Sequence, residues 1–203
     1  MMNEILTAFI TFFTVIDPIG TIPVFIAVTA NAKAAEKRKM AFTAALTAAG
    51  VLLFFIVLGE LILSAIDIPL ATFQIAGGIV LFLFALTMIF GESKPEEELS
   101  HIDQKDNKAI FPLAMPSLAS PGAILAAILL TENSKYSFAE QSLTALMMLL
   151  VVFIAWALMA MSSYIFKYIG NSGAAIISRV MGLILSAVAV ANILGGFKIY
   201  FNL

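Results

Sequence analysis

The chain has 203 residues, 62% of them hydrophobic and 12% charged, with a mean hydropathy of +1.04. Soluble domains are about 45–50% apolar and about a quarter charged, so this composition cannot cover a water-facing surface and points to the membrane. A net charge of −2 argues against a nucleic-acid partner, and the absence of cysteine excludes disulfides, thiolate metal sites and thiol catalysis.

A transmembrane helix needs about 20 predominantly apolar residues. Runs of that length lie at 5–30, 40–65, 69–90, 110–131, 142–168 and 174–201, which predicts six spans in one transmembrane domain. The first run ends near Ala30-Asn31-Ala32, a sequence that resembles a signal-peptidase site. However, no basic residue precedes the run, it is too long, and Asp17-Pro18 interrupts it, so it is expected to remain as the first span. Between the third and fourth runs, the polar stretch 91–108 holds the sole histidine, His101, and 6 of the 13 acidic residues. It is expected as a surface loop, with a short amphipathic helix compatible.

Orientation follows from the basic residues. The odd loops and their flanks carry Lys33, Lys37, Arg38, Lys39, Lys94, Lys105, Lys108, Lys167 and Arg179, whereas the other side has only Lys135 and Lys198. The odd loops are therefore expected in the cytoplasm and both termini outside it.

Two motifs interrupt the apolar runs. Asp17-Pro18-Ile19-Gly20 stands in the first and Ser120-Pro121-Gly122 in the fourth, 103 residues later. The same offset superposes the second run on the fifth, and an offset of 104 sets Gly78 opposite Gly182. The chain thus divides into a repeat at about 1–90, the loop 91–108, and a second repeat at about 109–203. Repeats of three spans insert in opposite senses, which gives the inverted pair found in many secondary transporters.

Proline ends or kinks a helix, while Asp and Ser are favoured N-caps and proline is favoured in the first helical position. Each motif therefore predicts the end of one half-helix and the capped start of another. Asp17 lies about 18 Å from Ile5 at the helical rise, and Ser120 about 15 Å from Ile110, near the middle of a hydrocarbon layer about 30 Å thick. Freed backbone groups at that depth must face protein or a wet cavity. Half-helix N-termini favour a carboxylate, and carbonyls ending the preceding halves accept from an ammonium, so a small zwitterion satisfies both.

Gly20, Thr21, Gly122 and Ala123, with Gly77 and Gly78 opposite, would shape a tight pocket and so select a small solute. Asp17 has three available roles, as a cap, an ammonium ligand or a proton carrier. Asn192 can donate to a substrate or hydrogen-bond a neighbouring helix. Gly77-Gly78 and Gly195-Gly196 also read as close helix contacts. Glu60 near an outer end, Arg179 near an inner end and Trp156 within the fifth run read as structural.

Enzyme readings fail on the inventory. One histidine cannot build a two-histidine metalloprotease site, and an aspartyl dyad needs a second deep carboxylate beside Asp17. No catalytic residue, metal or cofactor is implied. A channel is the closer rival, since midplane half-helices also occur in pores.

The stretches FFTVIDPIGTIPVF (12–25), QIAGGIVLFLFALTMI (74–89), PLAMPSLASPGAI (112–124) and RVMGLILSAVAVANILGGF (179–197) resemble the MarC family of bacterial and archaeal inner-membrane proteins. The resemblance covers essentially the whole chain. Similarity to SnatA-type members, within a LysE-like superfamily, implies a transporter of small neutral amino acids such as glycine and alanine, with protons as the coupling ion in some members. It points to Asp17, Pro18, Gly20 and Thr21 in the first segment, and to Ser117, Ser120, Pro121 and Gly122 in the fourth; Ser117 comes from the resemblance alone.

The expectation is an all-α, six-span, inverted-repeat secondary transporter for small neutral amino acids, multi-pass in a plasma membrane. Its substrate would sit between broken helices one and four, with Gly77, Gly78 and Asn192 opposite. The alternatives are a channel or exporter for another small solute, or a MarC-family protein of unassigned substrate. Partners are the amino acid, the bilayer and, as a candidate coupling ion, the proton; a homo-oligomer is compatible.

Overall fold

The computed structural model describes residues 2–30, 32–90 and 109–201, so the expected loop at 91–108 lies outside the described residues. Among the described residues the fold is all-helical. Its elements are α1 (Met2–Ile16), α2 (Thr21–Val28), α3 (Ala34–Ala65), α4 (Leu70–Phe90), the irregular α5 (Ala109–Leu118), α6 (Pro121–Leu129), α7 (Phe138–Ala160) and α8 (Ser162–Tyr200). Among the described residues five stretches are long and apolar enough to cross a membrane: Glu4–Val28, Ala34–Ala65, Leu70–Phe90, Phe138–Ala160 and Ala175–Tyr200. α5 and α6, bent by 55° at their junction, form a sixth when taken together.

Caps move several boundaries away from the hydropathy edges. Ser137 and Glu140 form a reciprocal capping box, in which the Ser137 N–H donates to the Glu140 carboxylate at 2.7 Å and the Glu140 N–H to Ser137 Oγ at 3.4 Å. α7 therefore starts at Phe138, ahead of the apolar run expected from 142. At the start of α3 the Glu36 carboxylate accepts the Lys33 N–H at 2.9 Å, which extends this helix to 32 residues. The expected fifth span to residue 168 ends earlier, at Ala160. A second break follows at Gly170, whose φ of 61° lies in the left-handed region that glycine occupies without penalty.

The broken segments form the centre. In the Glu4–Val28 stretch 61% of the span is buried, against 22–28% in the other four. Phe12, Ile16, Phe25, Leu113, Leu118 and Leu125 are fully enclosed there, with Leu52, Leu81 and Met148 closing around them.

α4 and α8 run antiparallel at backbone contact. A Cβ on Gly78 would lie 3.1 Å from the Ala189 carbonyl oxygen, one on Gly182 3.0 Å from that of Ala85, and one on Gly196 2.9 Å from that of Ala71. Each layer pairs a glycine of one helix with an alanine of the other. Small residues every seventh position let two helices approach this closely.

At one end of the bundle the start of α1, the end of α3 and the start of α7 meet. The Asn133 N–H donates to the Glu60 carboxylate at 2.8 Å, and Glu4 shares a groove with Tyr136 and Glu140. The chain termini and the even-numbered connections thus share one end of the bundle.

Candidate functional site

In the first broken segment α1 runs to Ile16, and Asp17 follows with φ 49°, a left-handed conformation that aspartate tolerates better than most residues. Its Oδ1 accepts the Gly20 N–H at 3.0 Å, and its backbone oxygen accepts both the Thr21 N–H and the Thr21 hydroxyl at 3.1 Å. A Cβ on Gly20 would collide with the Asp17 carboxylate, so glycine leaves that carboxylate its place in the turn. The sequence predicts Asp17 as the direct cap of a new half-helix. Instead its carboxylate caps the intervening turn, and α2 begins at Thr21.

In the second broken segment Ser120 is the N-cap of α6, with Pro121 in the first helical position. Its Oγ accepts the Ala123 N–H at 3.1 Å and donates to the Val15 carbonyl, across in α1, at 2.8 Å. The preceding half differs from expectation. Phe111 and Met115 are extended rather than helical, each immediately before a proline, and both of these X–Pro bonds are cis. Proline disfavours the helical region for the residue ahead of it, so α5 is wound irregularly and interrupted twice, in place of a regular half-helix.

The two segments cross through their polar groups. Thr21 Oγ1 and Ser117 Oγ lie 3.1 Å apart, joining α2 to α5. Asp17, Thr21, Ser117 and Ser120 are 2%, 0%, 0% and 1% exposed. Among the described residues Asp17 is the only charged side chain so enclosed.

Beside this cluster lies a cavity of about 270 Å³. Thr11 and Val15 of α1, Leu81 of α4, Gly122 and Ala126 of α6, and Val188 and Asn192 of α8 line it, with Leu129 and Leu130 toward the terminal end. Pockets for drug-sized ligands run from about 300 to 1,000 Å³, so this volume suits a smaller solute.

Of the predicted site residues, Gly122 and Asn192 face the cavity, while Asp17, Thr21, Ser117 and Ser120 are joined in the crossing beside it. Asn192 also ties α8 to α4, accepting from Gln74 Nε2 at 3.4 Å, and donates to the Val188 carbonyl of its own helix at 3.1 Å. Gly77 and Gly78 lie outside the cavity lining: Gly77 seats Leu125 of α6, and Gly78 backs onto α8. Pro18 is buried in its turn, whereas Pro121 is exposed at the start of α6. Trp156 packs half-buried on Phe153, with ring centroids 5.3 Å apart, and Arg179 is exposed on α8.

Sequence reasoning passed over Thr11, Leu81, Ala126 and Val188. A signal existed for Thr11 alone, because Glu4, Thr7, Thr11 and Thr14 recur at helical spacing along an otherwise apolar α1.

A family profile described as "MarC family integral membrane protein" matches residues 2–201. A UPF0056 membrane protein of Methanocaldococcus jannaschii is 34% identical over 200 residues, covering 97% of each chain. The UPF0056 membrane protein YhcE of Escherichia coli is 33% identical over 195 residues, 94% of this chain and 90% of its own. YvbG of Bacillus subtilis is 31% identical over 207 residues, 98% of this chain and 96% of its own. No solved structure matches the chain.

Proposed function

The chain belongs to the MarC family of integral membrane proteins, and on that premise we propose that it is a secondary transporter of small neutral amino acids. The observation that carries this reading is the enclosed cluster of Asp17, Thr21, Ser117 and Ser120, set where two broken segments cross and beside a cavity of about 270 Å³. Buried polar groups in a membrane chain are costly and mark solute or ion pathways. The α6 N-terminus, capped by Ser120, offers its positive dipole and the Gly122 N–H to a carboxylate. Thr11 and Asn192 supply neutral polar contacts across the cavity, and its apolar remainder suits a short side chain. Asp17 is the proposed proton carrier.

An inverted repeat underlies this reading. An offset of 104 carries Gly78 to Gly182 and Ala85 to Ala189. Exchanging the two halves turns the Gly78–Ala189 contact into the Gly182–Ala85 contact, and both occur. That reciprocity supports a two-fold relation between α4 and α8, as does the placement of a break in the first stretch of each half. The basic residues support cytoplasmic odd loops, with the end that carries the termini facing outward.

Uptake of glycine, alanine and larger neutral amino acids into proteoliposomes, with and without a pH gradient, tests the proposal. Saturable uptake of the small ones, abolished by Ser120→Leu, is the expected result. Ion conductance across a planar bilayer without saturable uptake would replace the transporter with a channel.

A further inference from the structure

A second cavity, about 160 Å³, opens at the terminal end between α1 and α7. Its α1 wall is Glu4, Ile5, Thr7 and Ala8, and that of the central cavity is Thr11 and Val15. Residues 4, 8, 11 and 15 fall on one helical face in successive turns, so the two spaces follow one stripe of α1. Leu130, at the end of α6, lines both. The mouth carries the carboxylates of Glu4 and Glu140.

The backbone around Leu130 is pinned. Its N–H bonds to the Ala126 carbonyl at 2.9 Å, the Thr131 hydroxyl to the Ala127 carbonyl at 2.6 Å, and the Asn133 N–H to the Glu60 carboxylate at 2.8 Å. Its side chain is free of such ties and is only half-buried. A change of leucine rotamer takes picoseconds to nanoseconds when the side chain is not locked by packing, so the wall can open without unwinding the helix.

We infer that the two cavities form one path from the terminal end of the bundle to the α6 N-terminus, and that the Leu130 side chain is the gate between them. The path deepens the transporter reading and rests on it, while its test involves no amino acid.

The chain contains no cysteine, so an introduced thiol is the sole reactive one. Single substitutions Thr7→Cys in the outer cavity, and Thr11→Cys or Val188→Cys in the central one, are combined with Leu130, Leu130→Ala or Leu130→Trp. Each is labelled with a membrane-impermeant thiol reagent in intact cells and in inverted vesicles. Thr7→Cys identifies the face carrying the terminal end and should react at the same rate in all three backgrounds, which also reports a folded protein. From that face, Thr11→Cys and Val188→Cys should react slowly behind Leu130 and about tenfold faster behind Leu130→Ala, the scale set by losing one large apolar contact. They should cease to react behind Leu130→Trp. Rates at 11 and 188 that ignore residue 130, or labelling of these positions only from the opposite face, would overturn the path. Leu130→Val, a milder truncation, should fall between Leu130 and Leu130→Ala; if Leu130→Ala fails to fold, a rate behind Leu130→Val equal to that behind Leu130 overturns it too. Failure of amino-acid uptake with the labelling pattern intact would overturn the substrate assignment and leave the path.

Discussion

The hydroxyls of Thr21 and Ser117 lie 3.1 Å apart although 96 residues separate them in the chain. Each stands beside a break in its own segment, and the pair closes the crossing of α2 with α5. The Thr21 hydroxyl also meets the Asp17 carbonyl at 3.1 Å, so one oxygen serves the turn of its own segment and the opposite segment. Thr21→Val keeps the shape and removes both interactions. It should lower stability by about 1–3 kcal/mol, measured by thermal unfolding in detergent, while Thr21→Ser should stay close to the parent.

Ser120 joins two duties in one oxygen, capping α6 and holding the Val15 carbonyl. Ser120→Ala should cost about 1–2 kcal/mol from the lost cap alone and should also reduce amino-acid uptake. Ser120→Thr keeps the hydroxyl and should restore most of both. Equal uptake by the alanine and threonine variants would assign Ser120 to the fold alone.

Asp17→Asn keeps an oxygen that can accept the Gly20 N–H, so the turn should form and the protein should reconstitute. The titratable group is gone. Uptake driven by a pH gradient should therefore collapse while exchange of labelled for unlabelled amino acid continues. Gradient-driven uptake at parental rate would remove the proton role from Asp17.

Gly182→Ala places a methyl group 3.0 Å from the Ala85 carbonyl and against the backbone of α4. Overpacking of this kind costs about 1–3 kcal/mol, which thermal unfolding should detect. Gly50, in the middle of α3, has open space where a methyl group would stand, with no neighbour within 4 Å. Gly50→Ala should therefore raise stability by about 0.5–1 kcal/mol, since glycine is the poorer helix former. The two substitutions are chemically the same and should move the unfolding temperature in opposite directions.

The spans were legible because a continuous apolar run of sufficient length has one common fate in a membrane protein. The breaks at Asp17 and Ser120 were legible because proline after a capping residue leaves few backbone alternatives. The same rule applied to Phe111-Pro112 and Met115-Pro116 would have exposed the irregular winding of α5, yet a helix was expected up to Ser120. The cavity wall was opaque for a different reason. Leu81 and Val188 face a cavity, and Leu83 and Leu183 face outward, but in a bilayer both environments accept the same side chains. Hydropathy therefore carries no mark of which face is which. The Ser120–Val15 bond was equally hidden, because its acceptor is a backbone oxygen that any residue supplies.

α3, with 32 residues, is about 48 Å long, whereas the hydrocarbon layer is about 30 Å thick. Some of that surplus can be absorbed by tilt, but the basic residues sit at one end, where Lys37, Arg38 and Lys39 follow Lys33. Sliding the helix away from that end would drag ammonium and guanidinium groups into lipid at up to about 2.5–3.5 kcal/mol each. α3 therefore acts as a draught mark on the hull, fixing how deep the whole bundle floats. Because Gly59 of α3 abuts Ile128 of α6, that waterline is passed on to the broken segment beside it. A protein that must hold a polar crossing at one level of an oily layer thus has its ballast in a helix that takes no part in the crossing.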